Sequence, residues 1–62
     1  MLDEHDKKTI IQNIYRLGYK GEGKFDGGAL MCAGKLANEW GMNEDDLDDI
    51  AGEVICNSDE SY

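Results

Sequence analysis

The side chains of this sequence that could do chemistry are mainly carboxylates, and they are concentrated near its carboxyl end. Residues 42–62 contain eight acidic residues and no basic one, whereas residues 1–41 contain six of each. The formal net charge of −8 therefore lies entirely in the last third of the chain. Such asymmetry concerns partners rather than fold, and it predicts attraction to a basic surface. These acids are Glu44, Asp45, Asp46, Asp48, Asp49, Glu53, Asp59 and Glu60.

Catalytic and metal-binding patterns are weak by comparison. Asp45, Asp46 and Asp49 could hold a divalent cation weakly, but the ligand order of an EF-hand is absent. The single histidine, His5, has no second histidine to complete a zinc site, and both serines lie in the last five residues. We therefore predict that the chain is not an enzyme and that it uses neither metal nor cofactor.

The glycine-rich segment Gly21–Lys24 is not a nucleotide-binding motif. It lacks the third glycine of a dinucleotide fingerprint, and it follows a helical pattern rather than a strand. No serine or threonine follows Lys24, as a Walker loop requires. We interpret these glycines as turn formers.

Cys32 and Cys56 indicate a reducing compartment. They lack a C-x-x-C spacing, and a small secreted scaffold usually carries four or more cysteines. We interpret both as reduced and partly buried, although a bridge between them stays open. The charged start predicts no signal peptide, and the apolar run 29–33 is far shorter than the ~20 residues of a membrane span. The prediction is a cytoplasmic protein.

Three amphipathic segments predict an all-α fold, a small three-helix domain. The first helix covers residues 3–17, with Asp3 as its N-cap and Gly18 as the residue after its C-cap. Its apolar stripe comprises Ile10, Ile11, Ile14 and Leu17.

The second and third helices have equally regular patterns. The second begins at Gly27 or Gly28 after the N-cap Asp26 and runs to Trp40, with Gly41 ending it. Its apolar face comprises Ala29, Ala33, Leu36, Ala37 and Trp40. The third covers residues 44–56, with Asn43 as its N-cap. Its apolar face comprises Leu47, Ile50, Ala51, Val54 and Ile55.

The remaining segments predict a loop and a tail around one domain. Residues 19–28 form a glycine-rich loop between the first two helices, anchored by Tyr19 and Phe25. A short hairpin that pairs residues 19–20 with 24–25 stays open as an alternative. We place the domain at residues 1–57 and a flexible acidic tail at 58–62.

The turn between the second and third helices resembles that of a helix-turn-helix. A small residue, Ala37, stands four positions before Gly41, with apolar residues on both sides. The resemblance covers about twenty residues, from Ala33 onward. Direct DNA binding is not predicted, because the helix in the recognition position has no lysine or arginine to neutralise phosphate.

Six acids of the third helix define the predicted binding face. From Glu44 to Glu53 they give roughly one charge per ~2.3 Å of helix axis, against ~1.7 Å in duplex DNA. The alternative is a solvated face that serves solubility, since the dipole alone favours the acids of the first turn. Asp48, Asp49 and Glu53 lie beyond the first turn, and no lysine offsets their repulsion.

We predict a small protein-binding inhibitor or regulator that mimics nucleic acid and engages a basic surface, such as that of a nuclease or polymerase. In size and charge the chain is similar to small phage-encoded proteins that block host nucleases or defence systems. We also predict that Tyr15 and Met31 are exposed interface residues. The alternative is a helical adaptor or oligomeric accessory protein that binds through apolar surface, self-association included. The predicted binding residues are Glu44, Asp45, Asp46, Asp48, Asp49, Glu53, Tyr15 and Met31.

Overall fold

A computed structural model describes residues 2–60 of the chain, with side-chain surroundings for residues 2–58. It is largely helical, as predicted, with three helices and one small antiparallel sheet. The elements are α1 (Glu4–Gly18), β1 (Tyr19–Gly21), β2 (Lys24–Phe25), α2 (Gly27–Glu39) and α3 (Glu44–Glu60). Within the described residues, no helix is both long enough and apolar enough to span a bilayer.

Helix α1 begins as predicted and ends differently. The Asp6 backbone N–H donates to the Asp3 carboxylate at 2.9 Å, which confirms Asp3 as the N-cap. Gly18 is the last helical residue rather than a left-handed residue after the helix. Its role is close approach, because a Cβ atom at this position would overlap the Cβ of Ala29 on α2.

The buried face of α1 is rotated from the predicted stripe. Ile11 is fully buried and Tyr15 is only 5% exposed, whereas Leu17 is 90% exposed. The predictions that Leu17 packs inward and that Tyr15 is exposed are therefore both wrong. The physical reason is Gly18: its contact with Ala29 turns the side of α1 that carries Ile11 and Tyr15 toward the core.

The glycine-rich segment forms the hairpin that the sequence left as an alternative. Tyr19 pairs with Phe25 and Gly21 with Lys24, with a bulge between the two pairs. Its two-residue turn, Glu22 and Gly23, has φ of +54° and +74°, as a type I′ hairpin turn requires. The loop prediction for these residues is therefore corrected.

Aromatic side chains attach this hairpin to the helices. The ring of Phe25 meets that of Tyr15 edge to face at 5.0 Å and that of Tyr19 at 5.3 Å. Both hairpin rings pack against the buried core, so the predicted anchoring is confirmed. These contacts help to stabilise two strands that are too short to persist alone.

The end of α2 agrees with the sequence. Gly41 has φ of +69°, its N–H donates to the Asn38 carbonyl, and the N–H of Met42 donates to the Ala37 carbonyl at 2.8 Å. This bonding pattern is a Schellman motif. At the other end of α2, the Asp26 carboxylate accepts hydrogen bonds from the N–H groups of the first turn, which confirms its capping role.

Helix α3 supplies the rest of the core and is longer than predicted. Ile50 and Val54 are buried, against Ile11 of α1. The helix continues to Glu60, four residues beyond the predicted end at Cys56. The predicted tail is therefore helical over residues 58–60, and its last two residues, 61 and 62, lie outside the described part of the chain.

Candidate partner-binding surfaces

Helix α3 presents six acids because its other face is fixed in the core. Ile50 and Val54 are buried, which sets the rotation of the helix. The Asp46 carboxylate accepts a hydrogen bond from the Asn43 backbone N–H at 3.4 Å, as the third residue of a capping box does. All six predicted acids are consequently exposed. We call them the acidic ridge: Glu44, Asp45, Asp46, Asp48, Asp49 and Glu53.

The protein's own cations do not neutralise this ridge. Among the described side chains, the ion pair within 4.0 Å joins Lys20 to Asp26 at 3.7 Å, on the hairpin side of the molecule. Lys7 and Lys8 line a small crevice together with Asp46, at the start of the ridge. Neither of them forms an ion pair there. Among the described side chains, the ridge therefore has no ion-pair partner within 4.0 Å.

Tyr15 belongs to the buried core rather than to a binding surface. Burial raises the pKa of its phenol above the ordinary value of 10.0, and the negative charge of Asp48 raises it further. The assignment of Tyr15 as a contact residue is corrected, because its ring is occupied by Phe25 and by the core.

Met31 is as exposed as the sequence predicts. Its side chain is 63% exposed on α2, beside Leu30, which is also exposed. A contact role for Met31 remains a prediction.

An open apolar groove of about 620 Å³ lies between the end of α1, β1 and α2. Leu17 and Ile14 line it from α1, and Cys32 and Leu36 line it from α2. Sequence reasoning missed the groove because it placed Leu17 in the core. A regular apolar stripe gives no signal of which edge remains uncovered once the helices pack.

Both cysteines are free and exposed, so the expectation that they are partly buried is wrong. Cys32 lines the groove, and Cys56 lies on α3, where no residue contributes to the groove. Among the described residues, no group of three or more histidine, cysteine or carboxylate side chains could hold a metal ion.

Comparison with protein-family models, curated proteins and solved structures found no match.

Proposed function

We propose that this protein is a small acidic inhibitor or regulator that engages a basic surface of a nucleic-acid-handling protein through the acidic ridge. The supporting observation is that all six ridge carboxylates are exposed and that none forms an ion pair with a described lysine or arginine. Uncompensated charge on a small domain destabilises it through repulsion, and a basic partner removes that cost. The ridge acts as a nucleic-acid mimic because its charge density is comparable to that of a duplex. The protein acts in the cytoplasm.

In this proposal, the turn between α2 and α3 has helix-turn-helix-like geometry and fixes the position of α3. The buried Ala37 and the left-handed Gly41 support that geometry. In this arrangement α3 occupies the recognition position but presents phosphate-like charge to a protein. It does not bind nucleic acid directly.

The test is capture of partners from native lysate by the wild-type protein and by a variant with Asp45, Asp46, Asp48 and Asp49 changed to lysine. Each replacement adds two charges, so the formal net charge of −8 becomes zero. We expect captured proteins to be lost, because association steered by charge slows by about 10- to 1000-fold without it. An unchanged helical circular dichroism spectrum must show that the variant is folded.

A control variant separates the ridge from net charge. Lysine at three exposed acids and two exposed asparagines outside α3 gives the same net charge and leaves the ridge intact, so capture should persist. These positions are Asp6, Glu22, Glu39, Asn13 and Asn38. Undiminished capture by the ridge variant would rule out the electrostatic mechanism. Equal loss in both variants would show that net charge, rather than the ridge, is responsible.

A second candidate function is a helical adaptor or oligomeric accessory protein that binds through apolar surface. The exposed Leu17 and Met31 support it. Binding of this kind is insensitive to salt, whereas ridge binding weakens as salt is added. Washing the same capture at two salt concentrations distinguishes the two functions.

A further inference from the structure

The apolar groove combines a depression with a projection on one surface. Gly18, Gly28 and Ala29, which have little or no side chain, line the depression. Leu17 lines the same groove and is 90% exposed, so most of its apolar area faces solvent. In a two-fold dimer each surface meets an identical one, so a leucine of one copy can enter the depression of the other. The shape is therefore suited to its own copy.

The charges at the groove are also self-complementary. Its lining includes one base and one acid, Lys20 and Asp26, which are 64% and 54% exposed and lie 3.7 Å apart. Because this pair is neutral overall, two copies of the groove can face each other without net repulsion. No residue of α3 lines the groove, and the segment that does line it belongs to the electrically neutral residues 1–41.

Repulsion between the net charges of two copies favours contact through this neutral face. Two chains of charge −8 repel each other strongly wherever their acidic ridges approach. No residue of α3 lines the groove, so two copies that meet there do not bring their ridges into the contact. We infer that two copies of this chain form a dimer through the groove, with Leu17 of each copy buried in the other and both ridges left outside. This inference goes beyond the proposed function and does not depend on it.

The first experiment measures mass against concentration by sedimentation equilibrium on the full chain. The wild-type protein should move from monomer to dimer, while Leu17→Lys should raise the dissociation constant by at least about 100-fold, since both copies lose a buried leucine. Lysine near the end of α1 suits the helix dipole, so folding is retained. Asn13→Lys adds the same charge at an exposed position of the same helix, outside the groove lining, and should dimerise like the wild type.

The second experiment needs no variant. Alkylation by iodoacetamide is followed by mass spectrometry at Cys32, which lines the groove, and at Cys56, which does not. Cys32 should react several-fold more slowly as protein concentration rises, while Cys56 reacts at a constant rate. Added salt should leave this protection intact or increase it, because screening reduces repulsion between copies.

Three results would overturn the inference. The first is a monomer at every concentration. The second is a dimer that Leu17→Lys does not weaken. The third is a dimer in which Cys32 and Cys56 are alkylated alike, which would place the interface on another face.

Discussion

The acidic ridge and the apolar groove differ in what each of them lacks: the ridge has no counter-charge and the groove has no covering side chains. The ridge is charge without a counter-charge, since the one described ion pair joins Lys20 and Asp26 elsewhere. The groove is apolar area without a cover, with Leu17 almost fully exposed. Salt should weaken contacts at the first and spare those at the second. Under the two proposals, the ridge binds a basic partner and the groove binds a second copy of the chain.

The largest expected effect comes from removing the core that holds both surfaces in place. Ile11→Ala should lower the free energy of unfolding by about 2–5 kcal/mol, because the side chain is fully buried. That loss is comparable to the whole stability of a domain of this size. Urea unfolding followed by circular dichroism measures it. The half-buried Ile10→Ala should cost clearly less, and equal losses would contradict the observed rotation of α1.

The next effect separates α1 from α2 and so disturbs the groove but not the ridge. Gly18→Ala should cost about 1–3 kcal/mol, because the added methyl overlaps the Cβ of Ala29. Gly34→Ala is the matched control, since it lies within α2 and its added methyl meets open space. It should stabilise the protein by about 0.5–1 kcal/mol. Thermal unfolding compares the two, and a stabilising Gly18→Ala would contradict the close approach.

A smaller effect links the ridge to the core through Tyr15. The pKa of its phenol is raised in the folded state, mainly by burial and then by Asp48. Its contribution to stability is therefore complete below pH ~10 and is lost as pH rises through the raised pKa. Denaturant unfolding across this range should show the decline, and Tyr15→Phe should reduce it.

The contribution of Asp48 can be isolated by NMR titration of the tyrosine ring. Asp48→Asn should lower the pKa of Tyr15 toward its ordinary value, because it removes the nearby negative charge. Asp45→Asn, on the same ridge, should change it less. If both variants shifted the pKa equally, the ridge as a whole rather than Asp48 would be responsible.

The smallest effect concerns the cap of α3. Asp46→Ala removes the acceptor of the Asn43 N–H and a first-turn acid, and it should cost about 0.5–1 kcal/mol. Asp49→Ala removes an equal charge with no such cap and should change stability less. Chemical denaturation of both variants gives the comparison.

Local chemistry made much of this fold predictable from sequence. The helix caps are local: the Asp3 and Asp26 carboxylates accept hydrogen bonds within the first turn of their helices. Gly41 ends α2 because glycine readily adopts a positive φ. The ridge could also be predicted from the sequence, because helical periodicity alone places its acids opposite Ile50 and Val54. The resulting exposure of the six carboxylates agrees with the prediction.

The wrong predictions concern features that tertiary contacts determine. Periodicity gave α1 an apolar stripe, but the contact of Gly18 with Ala29 chose which edge of it faces inward. The hairpin has strands of three and two residues, too short to show alternation, and a left-handed Glu22 in its turn. The groove followed from both, so no sequence signal marked it.

The most direct test of the central claim is competition with duplex DNA in the capture experiment. If the ridge imitates nucleic acid, proteins retained by the wild type should be released as duplex DNA is added, and the ridge variant should retain none of them. Retention that persists with excess duplex, or that survives reversal of the ridge charges, would contradict the account.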